Sequence, residues 1–133
     1  MGLLSSFFGK KKPAQPLSLS FPQAEHFRGF KKYKIASYGF DDAEHNLDAL
    51  KTVKLKGNMI TLKLIKCKNN SDAFLVYVDD LVIGTIFFSN GNYPELLNGF
   101  RTNQICGLYV KLVTFDDVPN YRPDAYLLVK YGG

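Results

Sequence analysis

Two apolar runs divided by a pair of aspartates, "FLVYVDDLVIGTI" over residues 74–86, constrain this chain more than any other feature. Phe74, Leu75, Val76, Tyr77 and Val78 are mostly β-branched or aromatic, and Leu81, Val82, Ile83, Gly84, Thr85 and Ile86 resume that character beyond Asp79 and Asp80. Runs of this kind split by two turn-forming residues predict a β-hairpin. The polar knot before it, Asn69, Asn70, Ser71 and Asp72, consists of short side chains that bond to nearby backbone, so it predicts a structured corner at the hairpin's entry.

Other segments extend the pattern. "MITLKLIKC" sets Ile60, Leu62 and Leu64 inward against Thr61 and Lys63 outward, as a half-buried strand requires. In "DDAEHNLDALKTVKLKGN" Ala43, Leu47 and Leu50 recur at i, i+4 and i+7, which predicts a short helix begun by Asp41 or Asp42 in a unit ended by Gly57. The first structured segment is expected from Phe27, with Tyr33, Ile35 and Ser37 on one face of a strand and Lys32, Lys34 and Ala36 on the other. Ser89 to Asn92 read as a turn, and Pro94 opens a short helix ending near Gly99. "ICGLYVKLVTF" and "DAYLLVKY", joined by "DDVPNYRP", close the chain as strands. About six strands and two short helices, with no βαβ alternation, predict a mainly β fold: a small barrel or a strongly curved antiparallel sheet.

At 133 residues, with 46% hydrophobic and 22% charged, the composition is that of one globular domain able to bury its own core. No apolar run approaches the ~20 residues that span a bilayer, and no secretory signal opens the chain, so a soluble, cytoplasmic protein is expected. Cys67 and Cys106 lack CxxC spacing and a nearby histidine pattern, which argues against zinc; both read as buried free thiols, and no cofactor is expected. The net charge of +5 is uneven: residues 1–34 carry seven Lys/Arg against one acid, and residues 35–133 ten against eleven. Attraction for a polyanion therefore lies in the N-terminal third. Residues 1–26 read as a flexible basic tail and linker, and 27–133 as the domain. Gly2 with Ser6 fits an N-myristoylation pattern, and Leu3, Leu4, Phe7 and Phe8 beside Lys10, Lys11 and Lys12 suit an anionic membrane; a mobile tail is the plainer reading.

No catalytic constellation is present. His26 falls in the linker, and His45 falls on the exposed side of the first helix near Asp41, Glu44 and Asp48, where a solvated face is expected. Asp79 and Asp80 are read as a turn, since adjacent strand residues point apart. Without a Ser-His-Asp set, a glycine-rich phosphate loop or HExxH, a non-enzymatic protein is expected. The strongest binding signal is "FRGFKKYK", where Arg28, Lys31, Lys32 and Lys34 interleave with Phe27, Phe30 and Tyr33. Single-stranded nucleic acid asks for both kinds of residue, cations for phosphates and rings for bases, although strand aromatics also build cores and strand lysines also guard sheet edges. Arg101, Lys111 and Arg122 extend this set if the fold brings them to the same side.

From Tyr33 to Val113 the order of features resembles the HIRAN domain: a first strand, a Phe after a Gly, a short helix, "TLKLI", an Asn-Asn-x-Asp corner, the "LVYVDDLVIG" hairpin and a helix holding "ELLNG". That family is a small OB- or SH3-like barrel, found alone in bacteria and phages and fused to DNA-remodelling ATPases. Asn70, Asp72 and Ile83-Gly84 fit its signature, while the Pro, Tyr and Asn-Ala-Ile of the family corner are absent. In DNA-binding members a pocket near the corner holds a single-stranded 3′ end with an Arg-Tyr-Tyr group. The positions here are Tyr38, Gly39 and Phe40, which keep one aromatic, displace another and lack the arginine. The resemblance implies an OB/SH3-like antiparallel β-barrel with two short helices that binds single-stranded DNA or DNA ends. Tyr38 and Phe40 would stack bases, Lys31, Lys32 and Lys34 would hold phosphates, and Asn70 and Asp72 would line the pocket. Asp72 has two readings: an acceptor for backbone N–H groups in the corner, or a receiver of a terminal hydroxyl. The rival function is a protein-interaction module tethered through its apolar and basic N-terminal tail.

Overall fold

A computed structural model describes residues 17–37, 41–67, 71–114, 117 and 123–132. In chain order the elements are β1 (Ser18–Pro22), β2 (Lys31–Ile35), α1 (Asp41–Leu50), β3 (Met59–Lys66), β4 (Asp72–Val78), β5 (Leu81–Phe87), α2 (Tyr93–Arg101), β6 (Ile105–Val113) and β7 (Asp124–Tyr131). They form two antiparallel sheets, a four-stranded one ordered β1-β3-β4-β5 and a three-stranded one ordered β2-β7-β6.

The hairpin sits where the sequence placed it. Val78 pairs with Leu81, leaving Asp79 and Asp80 as the loop, and Asp79 adopts φ +53°, a conformation that Asp tolerates better than most residues. Its carboxylate accepts hydrogen bonds from Asn58 Nδ2 at 2.8 Å and Met59 N–H at 2.9 Å, which hold its pKa below the ordinary carboxylate value. Asp79 thus fastens the turn to the start of β3. Ala43, Leu47 and Leu50, the predicted stripe, are the buried residues of α1, and Asn46 Nδ2 ties that helix to Val82 O at 2.7 Å. Pro94 stands in the first turn of α2, and Asn103 at φ +59° follows its end.

The strand β1 corrects the expected linker. Ser18–Pro22 pairs with β3 from Ser18↔Lys63 to Pro22↔Met59, so ordered structure begins well before Phe27. There are seven described strands, not six. The apolar tail residues Leu3 to Phe8 lie outside the described residues.

Both sheets face one core. Ile60, Leu62, Phe74, Val76, Val78 and Ile86 from the larger sheet meet Tyr33, Ile35, Leu108, Val110, Leu127 and Val129 from the smaller. From α2, Tyr93 and Phe100 pack on Phe74 with ring centroids 5.6 and 5.0 Å away. Each such side chain contributes roughly 1.5–3 kcal/mol on full burial.

Two further contacts join the sheets. Ala36 N–H donates to Thr85 O at 2.9 Å and Thr85 N–H to Ala36 O at 2.8 Å. Gly84 makes this approach possible: its φ is +152°, and a Cβ there would stand 2.6 Å from Ala36 O. On the other side Gln23, 7% exposed, bridges to Leu108. Its side chain behaves like one more peptide of a strand, with Nε2 donating to Val110 O at 2.9 Å and Oε1 accepting from Val110 N–H at 2.8 Å.

Candidate nucleic-acid interface

The pleat divides the lysines of β2. Tyr33 and Ile35 enter the core, which leaves Lys32 and Lys34 on the outer face of the three-stranded sheet. Register then supplies their neighbours. Lys32 lies opposite Leu128 and Lys34 opposite Tyr126 on β7, while Leu128 lies opposite Tyr109 and Tyr126 opposite Lys111 on β6. Opposed residues share a face, so Lys32, Lys34 and Lys111 surround Tyr126 and Tyr109, with Lys130 one step further along β7.

The segment before β2 adds another ring. After Ala24 N–H donates to Leu108 O at 3.0 Å, the chain crosses the outer face towards β2. Phe27 packs on Tyr109 with centroids 4.5 Å apart and 37° between the ring planes, yet keeps 38% exposure. Gly29, at φ +81°, turns the chain, and Phe30 lies against Gly107, where a Cβ would come 3.4 Å from its ring.

The lysines rest on rings. Lys32 and Lys34 Nζ are 4.8 and 5.4 Å from the Tyr126 centroid, and Lys111 Nζ is 5.7 Å from that of Phe27. Exposed cation–π contacts hold such a charge by only about 0.5–1 kcal/mol. Lys34 also reaches Asp124 at 3.4 Å, whereas among the described residues Lys32 and Lys111 have no carboxylate partner.

Other expected members are elsewhere. Lys31 falls on the opposite parity and meets Glu95 of α2 at 3.2 Å. Asp72, 18% exposed in its side chain, accepts Lys66 Nζ at 2.9 Å and an Arg101 Nη at 3.4 Å. Among the described residues its side-chain partners are cations, and Cys67 N–H donates to Ser71 O at 2.8 Å; Asn69 and Asn70, the other residues of the corner in which backbone donors were expected, lie outside the described residues. Glu95 and Arg101 are six residues apart on one helix, roughly 9 Å along its axis, so Lys31 and Asp72 are held at opposite ends of α2. Arg101 belongs to the Asp72 corner and not to the lysine face; Lys111 joins the face. Tyr38, Phe40, Asn70 and Arg122 lie outside the described residues. Cys67 is half-buried and Cys106 exposed, in contrast to the buried pair expected, and both thiols are free. His45 is exposed on α1 as read.

Beside α2 are two buried phenols, Tyr33 and Tyr93, and the half-buried Tyr131. Tyr33 and Tyr131 hydroxyls are 2.6 Å apart, and burial raises both pKa values. Tyr93 is pushed up to about 12 by burial first and by the charge of Asp72 second; its hydroxyl has no hydrogen-bond partner among the described residues.

No family model matches the chain, no curated protein matches it, and no solved structure matches it. No described helix is long and apolar enough to cross a membrane. The aromatic members Tyr109 and Tyr126 had no local signal in the sequence, because their place beside Lys32 and Lys34 depends on pairing between distant strands.

Proposed function

We propose that this chain is a diverged HIRAN-like, non-enzymatic binding module whose ligand is nucleic acid with an unpaired strand. The observation that carries the reading is the outer face of the three-stranded sheet, where Lys32, Lys34 and Lys111 stand among Tyr126, Tyr109 and Phe27. Rings that stack bases beside cations that meet phosphates are what a single strand requires. The reading of the two sheets as a small OB/SH3-like barrel is supported by the bridges Ala36↔Thr85 and Gln23↔Leu108, which link β2 to β5 and β1 to β6. Strand order then runs round a circuit with two short seams.

Fluorescence anisotropy with a labelled single-stranded oligonucleotide tests the function. Binding is expected at low salt, where electrostatics are strongest, and should weaken steeply as salt rises. No binding at low salt would reject nucleic acid as the ligand and favour a protein partner.

A further inference from the structure

The lysine face has a repeat within it. Tyr126 on β7, with Lys32 and Lys34 over its ring, is one station. Phe27 upon Tyr109 of β6 is a second, with Lys111 over the Phe27 ring. Lys111 belongs to both, because its Cα is paired with Tyr126 while its ammonium lies above Phe27.

The register sets the spacing between Tyr126 and Tyr109, the strand residue on which Phe27 rests. Tyr109 pairs with Leu128, two residues from Tyr126, so the two tyrosines are diagonal neighbours across adjacent strands. Such neighbours are rooted ~7–8 Å apart. Stacked bases in a duplex strand rise only ~3.4 Å each. Two consecutive bases seated here cannot also be stacked on each other, and bases inside a duplex have no free faces to offer.

Resting on the nucleic-acid reading, we infer that this face is a two-nucleotide site for an unstacked single strand. One base lies on Tyr126, the next on Phe27, and Lys111 holds the phosphate between them. Each lysine leaves its ring for a phosphate as the base arrives, so the empty site keeps its rings covered and its charges close to where they act. Duplex is excluded by geometry and not by charge.

The experiment compares a labelled oligothymidylate with a duplex of equal length, using the full chain and the variants Phe27→Leu, Tyr126→Leu and Lys111→Gln. Leucine keeps apolar bulk and removes the ring, and circular dichroism of each variant establishes that it is folded. The single strand should bind more tightly than the duplex. Each ring variant should weaken it about 5- to 150-fold with the salt slope unchanged, and Lys111→Gln should lower the slope by about 0.7, one phosphate on a single strand. A single strand that binds equally to the wild type and either ring variant, or an unchanged slope in Lys111→Gln, would overturn the two-station site and leave the broader reading standing; duplex bound as tightly as single strand would overturn both the site and the preference for an unpaired strand. No binding of either nucleic acid at low salt would remove both.

Discussion

The outer face of the three-stranded sheet and the corner at Asp72 both gather cations, but they satisfy them differently. At the corner one carboxylate holds Lys66 and Arg101. On the face Lys32 and Lys111 rest over aromatic rings. A charge matched by a carboxylate that is itself four-fifths shielded has little to gain from a passing phosphate. A charge over a ring gives up about 0.5–1 kcal/mol to meet one. The same residue type therefore serves architecture in one place and remains available to a ligand in the other.

The largest expected effect breaks the face without touching the corner. Replacing Lys32, Lys34 and Lys111 together by glutamine removes three exposed charges worth up to ~1 kcal/mol each against phosphate. Single-strand affinity should fall by about two orders of magnitude, with the thermal midpoint nearly unchanged, as anisotropy and a melting curve would show. A variant that binds normally would mean the lysines only keep the sheet edge soluble.

Next comes the seam on which the face depends. Gln23→Leu leaves Val110 N–H and C=O without their buried partner, and the expected cost is ~1–3 kcal/mol in urea denaturation. An unchanged midpoint would show that the side-chain pairing contributes nothing to holding β6.

Asp72→Ala is the matching test at the corner. Lys66 and Arg101 are largely exposed, so their pairs should contribute about 1 kcal/mol in total, and nucleic-acid affinity should stay as it is. Lost binding with unchanged stability would make the corner the ligand site and reverse the comparison.

The smallest effect at neutral pH belongs to the phenols beside α2. Tyr93 has a folded pKa of about 12 against an ordinary 10.0, so between those values the folded state retains a proton that the unfolded state releases. Stability should be unaffected below pH 10 and fall as pH rises towards 12, with Tyr33 and Tyr131 acting in the same direction. Denaturation midpoints measured on either side of pH 10 check the sign.

How much of this was legible depended on the range of the interactions. The hairpin over 74–86 and the Ala43/Leu47/Leu50 stripe are local patterns, and the structure follows them. β1 was missed because "SLSFP" is five residues long, uses serine at its exposed positions and follows a lysine- and proline-bearing stretch. Nothing local marks it as paired. Gln23 closes its seam to a residue 87 positions away, and a buried glutamine has no periodic signature. Lys32 and Lys34 were visible from the pleat, but Tyr126 and Tyr109 join them only through strand register. Lys31 shares their composition and departs by parity, since one residue's shift in a strand reverses the face.

The most direct test of face against corner is residue-resolved: a titration of the isotopically labelled protein with an oligothymidylate, followed by amide shifts in two-dimensional NMR. The expected perturbations centre on Phe27, Lys32 to Lys34, Tyr109 to Lys111 and Tyr126 to Leu128, with Cys67, Ser71, Asp72 and Arg101 little changed. Shifts centred on Cys67 to Ala73 and Arg101, with the three-stranded sheet silent, would contradict the account and place the ligand at the corner.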